Sequence, residues 1–169
     1  MSLDVLQYGI GRWVHVLAGI MWVGLLFYLN VVQGPALAAA QADGSAAGIA
    51  RHVAPRALLW FRWAAVVTWL AGALMLGSRL DDAMLFKNPA YFPIGVGAWL
   101  GTVIVANVWL VIWPAQKKVL GLVPASDDEK ARARRLAMLV SRLNLALVFP
   151  MLFFMVASGG LFRVVFFPR

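Results

Sequence analysis

Apolar residues fill four long blocks of the chain, and short polar segments separate these blocks. A membrane-crossing helix needs about 20 consecutive, mostly apolar residues. The four blocks meet that length and predict spans at about 8–32, 57–78, 93–113 and 138–160. The pattern therefore predicts an all-α fold: a polytopic membrane protein with one integral membrane domain over residues 1–169, built as a bundle of four transmembrane helices.

The composition supports a membrane protein and excludes several other classes. Of the 169 residues, 63% are hydrophobic and 13% are charged, whereas a soluble domain has about 45–50% apolar and about 25% charged residues. Because the chain has no cysteine, it offers no disulfide, no thiolate metal site and no covalent c-type haem. The net charge of +8 does not indicate nucleic-acid binding, since no soluble segment carries a basic stripe with interleaved aromatic residues.

Loop charges predict the orientation in the membrane. With four spans, loops 33–56 and 114–137 share one side, and they carry most of the basic residues: Arg51, Arg56, Lys117, Lys118, Lys130, Arg132, Arg134 and Arg135. Cytoplasmic loops are enriched in Lys and Arg. We therefore expect a protein of a bacterial inner membrane, with both loops in the cytoplasm and both termini on the periplasmic side.

The segment before the fourth span has the pattern of a helix start. Ser126 precedes three acidic residues, and serine at the N-cap followed by acids in the first turn is a typical beginning of a helix. We expect a short cytoplasmic helix here that runs into the fourth span.

One set of polar residues lies near the predicted cytoplasmic ends of the spans. It comprises Asn30, Arg62, Asn107, Arg142 and Asn144. Polar groups at membrane depth are costly, and each is therefore a functional hypothesis. Since no acidic residue lies inside a span, the arginines are candidates to bind an anion such as a haem propionate, a lipid phosphate or an acidic substrate. The alternative is that they reach the lipid headgroups while the asparagines bridge helices.

A second set surrounds a histidine in the outer part of the first span. The residues predicted to bind a cofactor are His15, Gly11, Gly19, Trp22, Met75 and Met155. The two glycines and the tryptophan lie on the same helix face as the imidazole, and this face suits a b-type haem with His15 as the iron ligand. The second axial position would be taken by Met75, Met155, water or a residue of another subunit, or it would stay open. The alternative is that the glycines allow close helix packing and the imidazole bonds a neighbouring hydroxyl or carbonyl.

The other histidine, His52, precedes the second span on the opposite side of the membrane. About 30 Å of hydrocarbon separates the two faces, so His15 and His52 of one subunit cannot ligate the same haem. We expect His52 to lie at the membrane interface where the helix begins. Copper is a further alternative for His15, although the methionines lack the clustered spacing of a copper site.

Motifs for other chemistries are missing from the sequence. There is no G-x-S-x-G, P-loop or H-E-x-x-H motif and no pair of carboxylates at membrane depth. Hydrolysis, phosphoryl transfer and proton pumping along buried acids are therefore disfavoured. Small-molecule transport is disfavoured as well, because the chain also lacks an inverted repeat.

Four blocks of sequence carry a family resemblance: RWVHVLAGIMWVG, LLWFRWAAVVTWLAG, GTVIVANVWLVIWPAQKKVLG and NLALVFPMLFFM. Together they resemble the membrane portion of the PuuD-type urate hydroxylases, the urate oxidase N-terminal domain family. The R-W-x-H…W-x-G pattern alone is similar to HemJ-type haem-biosynthesis proteins and copper-resistance D proteins. The first resemblance implies a membrane oxidoreductase module. Full-length members of that family hydroxylate urate to 5-hydroxyisourate and carry a C-terminal cytochrome c domain.

The match to the family blocks is residue by residue and has gaps. The matching positions are His15, Trp22, Gly24, Trp60, Phe61, Arg62, Trp69, Gly101, Ala106, Asn107, Pro114, Gln116, Lys118, Asn144 and Pro150. The long insert between the second and third spans and the cytochrome c domain have no counterpart in this sequence. Leu143 and Gly159 stand at the approximate positions of family histidines, and a histidine-rich stretch before the second block is reduced to His52.

These observations lead to two expected functions. The first is a redox-type membrane protein that binds b-type haem through His15 and passes electrons to a separate cytochrome c. The second is a non-catalytic accessory subunit of a larger membrane complex. Both are compatible with a homo-oligomer, and the sequence specifies neither a substrate nor the second axial ligand.

Overall fold

The computed structural model describes the backbone of residues 3–158 and side chains from residue 8 to residue 158. This part of the chain is helical and contains no strand. Its α-helices are α1 (Leu3–Phe27), α2 (Gly34–Ala42), α3 (Ala46–Gly48), α4 (Ala54–Leu76), α5 (Leu80–Met84), α6 (Phe92–Ala106), α7 (Trp113–Val119) and α8 (Asp127–Val156).

Short π-helical and 3₁₀ turns join these helices into four long segments. By length and composition, four segments are suited to crossing a membrane: Tyr8–Ala42, Ala46–Met84, Pro89–Val119 and Asp127–Val156. The predicted all-α architecture with four membrane helices is confirmed. The helical segments extend well past the predicted spans, above all at the end of the bundle where residues 42–54 and 119–127 lie. Residues 159–160, the last of the predicted fourth span, fall outside the described part.

Three π-helical turns, Tyr28–Gln33, Ile49–Val53 and Asn107–Ile112, lie within these segments. A proline follows each of them, at positions 35, 55 and 114. Proline has no N–H to donate, and its ring clashes with the carbonyl four residues earlier. In all three cases that carbonyl lies inside the π-helical turn, where the backbone is wound more widely. Each helical segment therefore continues through its proline.

The four segments pair as two antiparallel hairpins. In the first hairpin, residues 3–84, α1 packs along α4; in the second, residues 89–158, α6 and α7 pack along α8. One apolar core joins the hairpins and draws on all four segments: Trp22, Leu26, Phe61, Ala64, Ala65, Ile104, Val108, Ile112, Val148 and Met151. We call the end of the bundle with residues 42–54 and 119–127 the basic end and the opposite end the terminal end.

At the basic end, α8 begins as the sequence predicts. The Ser126 hydroxyl accepts a hydrogen bond from the Glu129 backbone N–H at 3.3 Å, and the Ser126 backbone N–H donates to the Glu129 carboxylate at 2.8 Å. This reciprocal capping box satisfies two backbone donors of the first turn. The expected short helix and the fourth span are one continuous helix, Asp127–Val156.

Candidate functional site

The side chain of His15 bridges the two helices of the first hairpin. Its Nδ1 donates a hydrogen bond to the backbone carbonyl of Thr68 on α4, at 2.8 Å. A carbonyl oxygen can only accept, so this contact places the ring proton on Nδ1 and leaves a lone pair on Nε2. Histidines that ligate metals typically hold their other ring N–H against a carbonyl or carboxylate in this way.

Gly72 makes the bond between His15 and Thr68 sterically feasible. Gly72 follows Thr68 by four residues on α4, and in a helix a side chain covers the turn that precedes it. A Cβ atom at Gly72 would lie 2.9 Å from Cε1 and 3.0 Å from Nδ1 of His15. Thr68 is missing from the residues predicted to form the site, and Gly72 is predicted to lie in the same membrane layer as His15 but not to bind the cofactor. Their only signal in the sequence was that Gly72 follows Thr68 by four residues in an apolar helix.

The glycine face next to His15 is filled by α4. A Cβ atom at Gly11 would lie 3.1 Å from Cγ of Met75, and one at Gly19 would lie 3.7 Å from Cγ2 of Thr68. The two glycines therefore let α1 and α4 pack closely, and no groove for a flat macrocycle remains between them there.

Two further residues of the predicted cofactor site lie elsewhere. Trp22 is 3% exposed and belongs to the apolar core, where its indole N–H has no partner among the described side chains. Met155 lies in the second hairpin, where its Sδ atom is 3.3 Å from the position of a Cβ atom at Gly97. The structure thus brings His15, Gly11, Gly19 and Met75 to one helix interface, whereas Trp22 and Met155 lie outside it.

The second hairpin contains the most deeply buried polar contact of the predicted set. Asn144 on α8 is fully buried, and its side-chain carbonyl accepts a hydrogen bond from Nδ2 of Asn107 at 2.8 Å. Its own Nδ2 donates to the backbone carbonyl of Ile104 at 3.5 Å. These bonds bridge α8 to the third segment, so the asparagine pair acts as a link between helices.

The remaining polar residues make separate contacts. Nδ2 of Asn30 donates to the hydroxyl of Ser141 and to the carbonyl of its own helix at Leu26, both at 2.8 Å. The guanidinium of Arg62 lies 3.5 Å from the ring centroid of Trp113, a cation–π contact between the second and third segments.

Arg142 has an exposed side chain and takes part in none of these contacts. The five residues predicted as one polar cluster therefore form three separate links between helices, with Arg142 outside them. Among the side chains of residues 8–158, no group of three or more His, Cys, Asp or Glu residues is arranged to hold a metal ion. A haem iron needs fewer protein ligands than that, so His15 stays the candidate.

One comparison with known proteins found a match. A family model described as Urate oxidase N-terminal matches residues 80–164, which is half of the chain and covers the second hairpin. No curated protein and no solved structure matches. The resemblance seen in the sequence blocks is thereby confirmed for this family. His15, Thr68 and Gly72 lie outside the matched residues.

Proposed function

The chain belongs to the urate oxidase N-terminal family, and from this premise we propose that it is a membrane redox module that binds b-type haem through His15. The observation that carries the proposal is the hydrogen bond from Nδ1 of His15 to the Thr68 carbonyl at 2.8 Å. It orients a partly buried imidazole within a membrane helix and leaves Nε2 with a lone pair for an iron.

Of the residues predicted to bind the haem, the one that supports the proposal is the imidazole of His15, because α4 fills the glycine face beside it. His15 would hold the iron through Nε2, and the Thr68 carbonyl would keep the ring oriented and raise its basicity. Gly11, Gly19 and Met75 would support the packing of α1 on α4 instead of contacting the macrocycle. When bound, the haem would supply one-electron transfer, which the side chains of this protein do not provide.

The proposed electron partner is a separate cytochrome c. His15 lies in the half of the first segment, Tyr8–Ala42, that is toward the terminal end of the bundle, and the loop charges predict that this end faces the periplasm of a bacterial inner membrane. A soluble partner would therefore dock at the terminal end.

A non-catalytic accessory subunit is the second candidate function. The second hairpin, which the family model matches, favours this function. Its asparagine pair, Asn107 and Asn144, is used to link helices. Asn144 makes two hydrogen bonds, to Asn107 and to the carbonyl of Ile104. A protein with this function would contain no haem and would purify together with other membrane proteins.

The test is the dithionite-reduced minus oxidised visible spectrum of detergent-purified protein, with haem extracted for stoichiometry. We expect an α-band of b-type haem and about one haem per chain in the unmodified protein. In His15→Ala the haem content should fall at least tenfold, because the axial nitrogen is lost.

His52→Ala is the matched control, since His52 is the other histidine and its side chain is exposed. It should keep its full haem content, and circular dichroism should show unchanged helicity in both variants. A flat spectrum from unmodified protein produced with ample haem would favour the accessory subunit. A full haem complement in His15→Ala would exclude His15 as the ligand. Urate turnover with added cytochrome c would follow only a positive spectrum.

A further inference from the structure

An open groove lies between the two segments of the first hairpin, close to the basic end, with a volume of about 640 Å³. Its walls are mostly apolar and include Ile20 and Leu25 on α1 and Trp60 on α4. Tyr28, His52 and Arg56 line it as well. The groove is distinct from the contact between His15 and Thr68, which lies nearer to the terminal end.

A glycine makes room in this groove. A Cβ atom at Gly24 would meet no other atom within 4 Å, whereas one at Gly11 or Gly19 of the same helix would contact α4. Gly11 and Gly19 are explained by the packing of two helices. Gly24 is not, since no part of the described chain covers it. The missing side chain leaves an apolar channel that is open toward the surrounding membrane.

The charged residues at the rim of the groove lack acidic partners. Arg56 lines the groove, donates through Nη1 to the backbone carbonyl of His52 at 2.6 Å and forms no ion pair with a described side chain. The nearby, exposed Arg51 does not line the groove and forms no such ion pair either. At the same end of the bundle, Lys118 of the second hairpin is paired with Glu129 at 3.7 Å. The groove therefore joins an apolar channel to a positive rim with donors to spare.

We propose that this groove binds one anionic phospholipid, with its phosphate at Arg56 and His52 and one acyl chain along Gly24. An arginine presents several N–H donors that suit a phosphate, and basic pockets between membrane helices bind acidic lipid headgroups. From Tyr28 to Ile20 the groove extends about 12 Å at 1.5 Å per residue. That is most of one leaflet of a hydrocarbon core that is about 30 Å thick.

The apolar walls favour a lipid over a free phosphate ion. A free anion would use only the rim, whereas an acyl chain also covers Ile20, Leu25 and Trp60. The rim lies at the end of the bundle that the loop charges predict to be cytoplasmic, where anionic lipids attract basic side chains.

The experiment measures the thermal stabilisation of detergent-purified protein by added phosphatidylglycerol and, separately, by phosphatidylcholine. Native mass spectrometry counts the lipids that stay bound. We expect phosphatidylglycerol to raise the melting temperature more than phosphatidylcholine and one molecule to be retained per chain. Gly24→Leu fills the channel, and Arg56→Gln removes the charge. In each variant, the phosphatidylglycerol concentration required for the same stabilisation should rise at least tenfold.

Each variant has a matched control. Gly9→Leu adds the same side chain at another position of α1 where a Cβ atom would meet nothing, and Arg134→Gln removes an exposed arginine at the basic end. Both should respond to phosphatidylglycerol as the unmodified protein does. If Gly24→Leu folds poorly, Gly24→Ala tests the same position with a smaller side chain.

Three results would overturn the proposal. One is an unchanged preference for phosphatidylglycerol in both Gly24→Leu and Arg56→Gln. Another is equal stabilisation by millimolar inorganic phosphate, which would show a site for a free anion. The third is a dimer that becomes a monomer in Gly24→Leu, which would show that a second copy of the chain fills the groove.

Discussion

The two hairpins of the bundle use buried polar groups in different ways. In the second hairpin, both functional atoms of the Asn144 amide are bonded, to Asn107 and to the carbonyl of Ile104. In the first, His15 bonds the Thr68 carbonyl through Nδ1 only, and Nε2 has no hydrogen-bond partner within the described chain. A saturated polar group links helices and does nothing more. An oriented imidazole whose second nitrogen keeps a free lone pair is a candidate for metal binding.

Three helical glycines differ in the side chain that faces them. Gly97 and Gly101 of the second hairpin face the flexible side chains of Met155 and Met151, whereas Gly72 of the first faces the ring of His15. A methionine can adjust to a neighbour that grows by one carbon, but a hydrogen-bonded imidazole cannot. Gly72 therefore tolerates less change than Gly97 or Gly101 does.

Replacement of Asn144 by alanine should have the largest effect on stability. The change leaves Asn107 and the carbonyl of Ile104 without their partner and opens a small cavity, and we expect a loss of about 2 kcal/mol. Unfolding in detergent, followed by circular dichroism, measures it. Leu143→Ala is the matched control, because Leu143 precedes Asn144 on α8 and is 51% exposed. An equal loss in both variants would contradict a structural role for the amide.

Gly72→Ala should have the second largest effect, and it should appear in the haem content more than in stability. The added methyl group displaces the imidazole from Thr68, and loss of such a supporting contact typically weakens metal binding 10–100-fold. We expect haem occupancy to fall about tenfold. The better helix propensity of alanine offsets part of the lost hydrogen bond in the free energy of unfolding.

Gly101→Ala is the control for this change, since a Cβ atom there would make an ordinary contact with Met151 at 3.6 Å. It should keep its haem. If Gly72→Ala also keeps its haem with an unshifted α-band, the contact between His15 and Thr68 has no part in ligand positioning.

The smallest expected effect concerns one hydrogen bond between the two hairpins. Asn30 of the first donates to the Ser141 hydroxyl of the second at 2.8 Å. Hydrogen bonds between membrane helices contribute about 0.6 kcal/mol on average. A double-mutant cycle of Asn30→Ala and Ser141→Ala should return a coupling energy of that size. A coupling near zero would mean that this hydrogen bond does not help to hold the two hairpins together.

The local sequence was sufficient to identify some residues of the site. Membrane depth and residue type pointed to His15 and to the asparagines, because a polar side chain in an apolar block stands out whatever it contacts. Their partners were not readable. His15 bonds a backbone carbonyl, a group that every residue has, and the five polar residues predicted as one cluster form separate contacts set by the rotation of each helix.

Local chemistry was sufficient to predict four membrane segments, their apolar length and the capped start of α8 at Ser126. These features depend on residues that are close in the chain. Local chemistry did not indicate the π-helical turns that precede Pro35, Pro55 and Pro114, and each helical segment continues through these prolines. Packing of α1 against α4 fills the glycine face beside His15 and leaves Gly24 open. Such features depend on which helix faces meet, and this is settled by contacts between residues far apart in the chain.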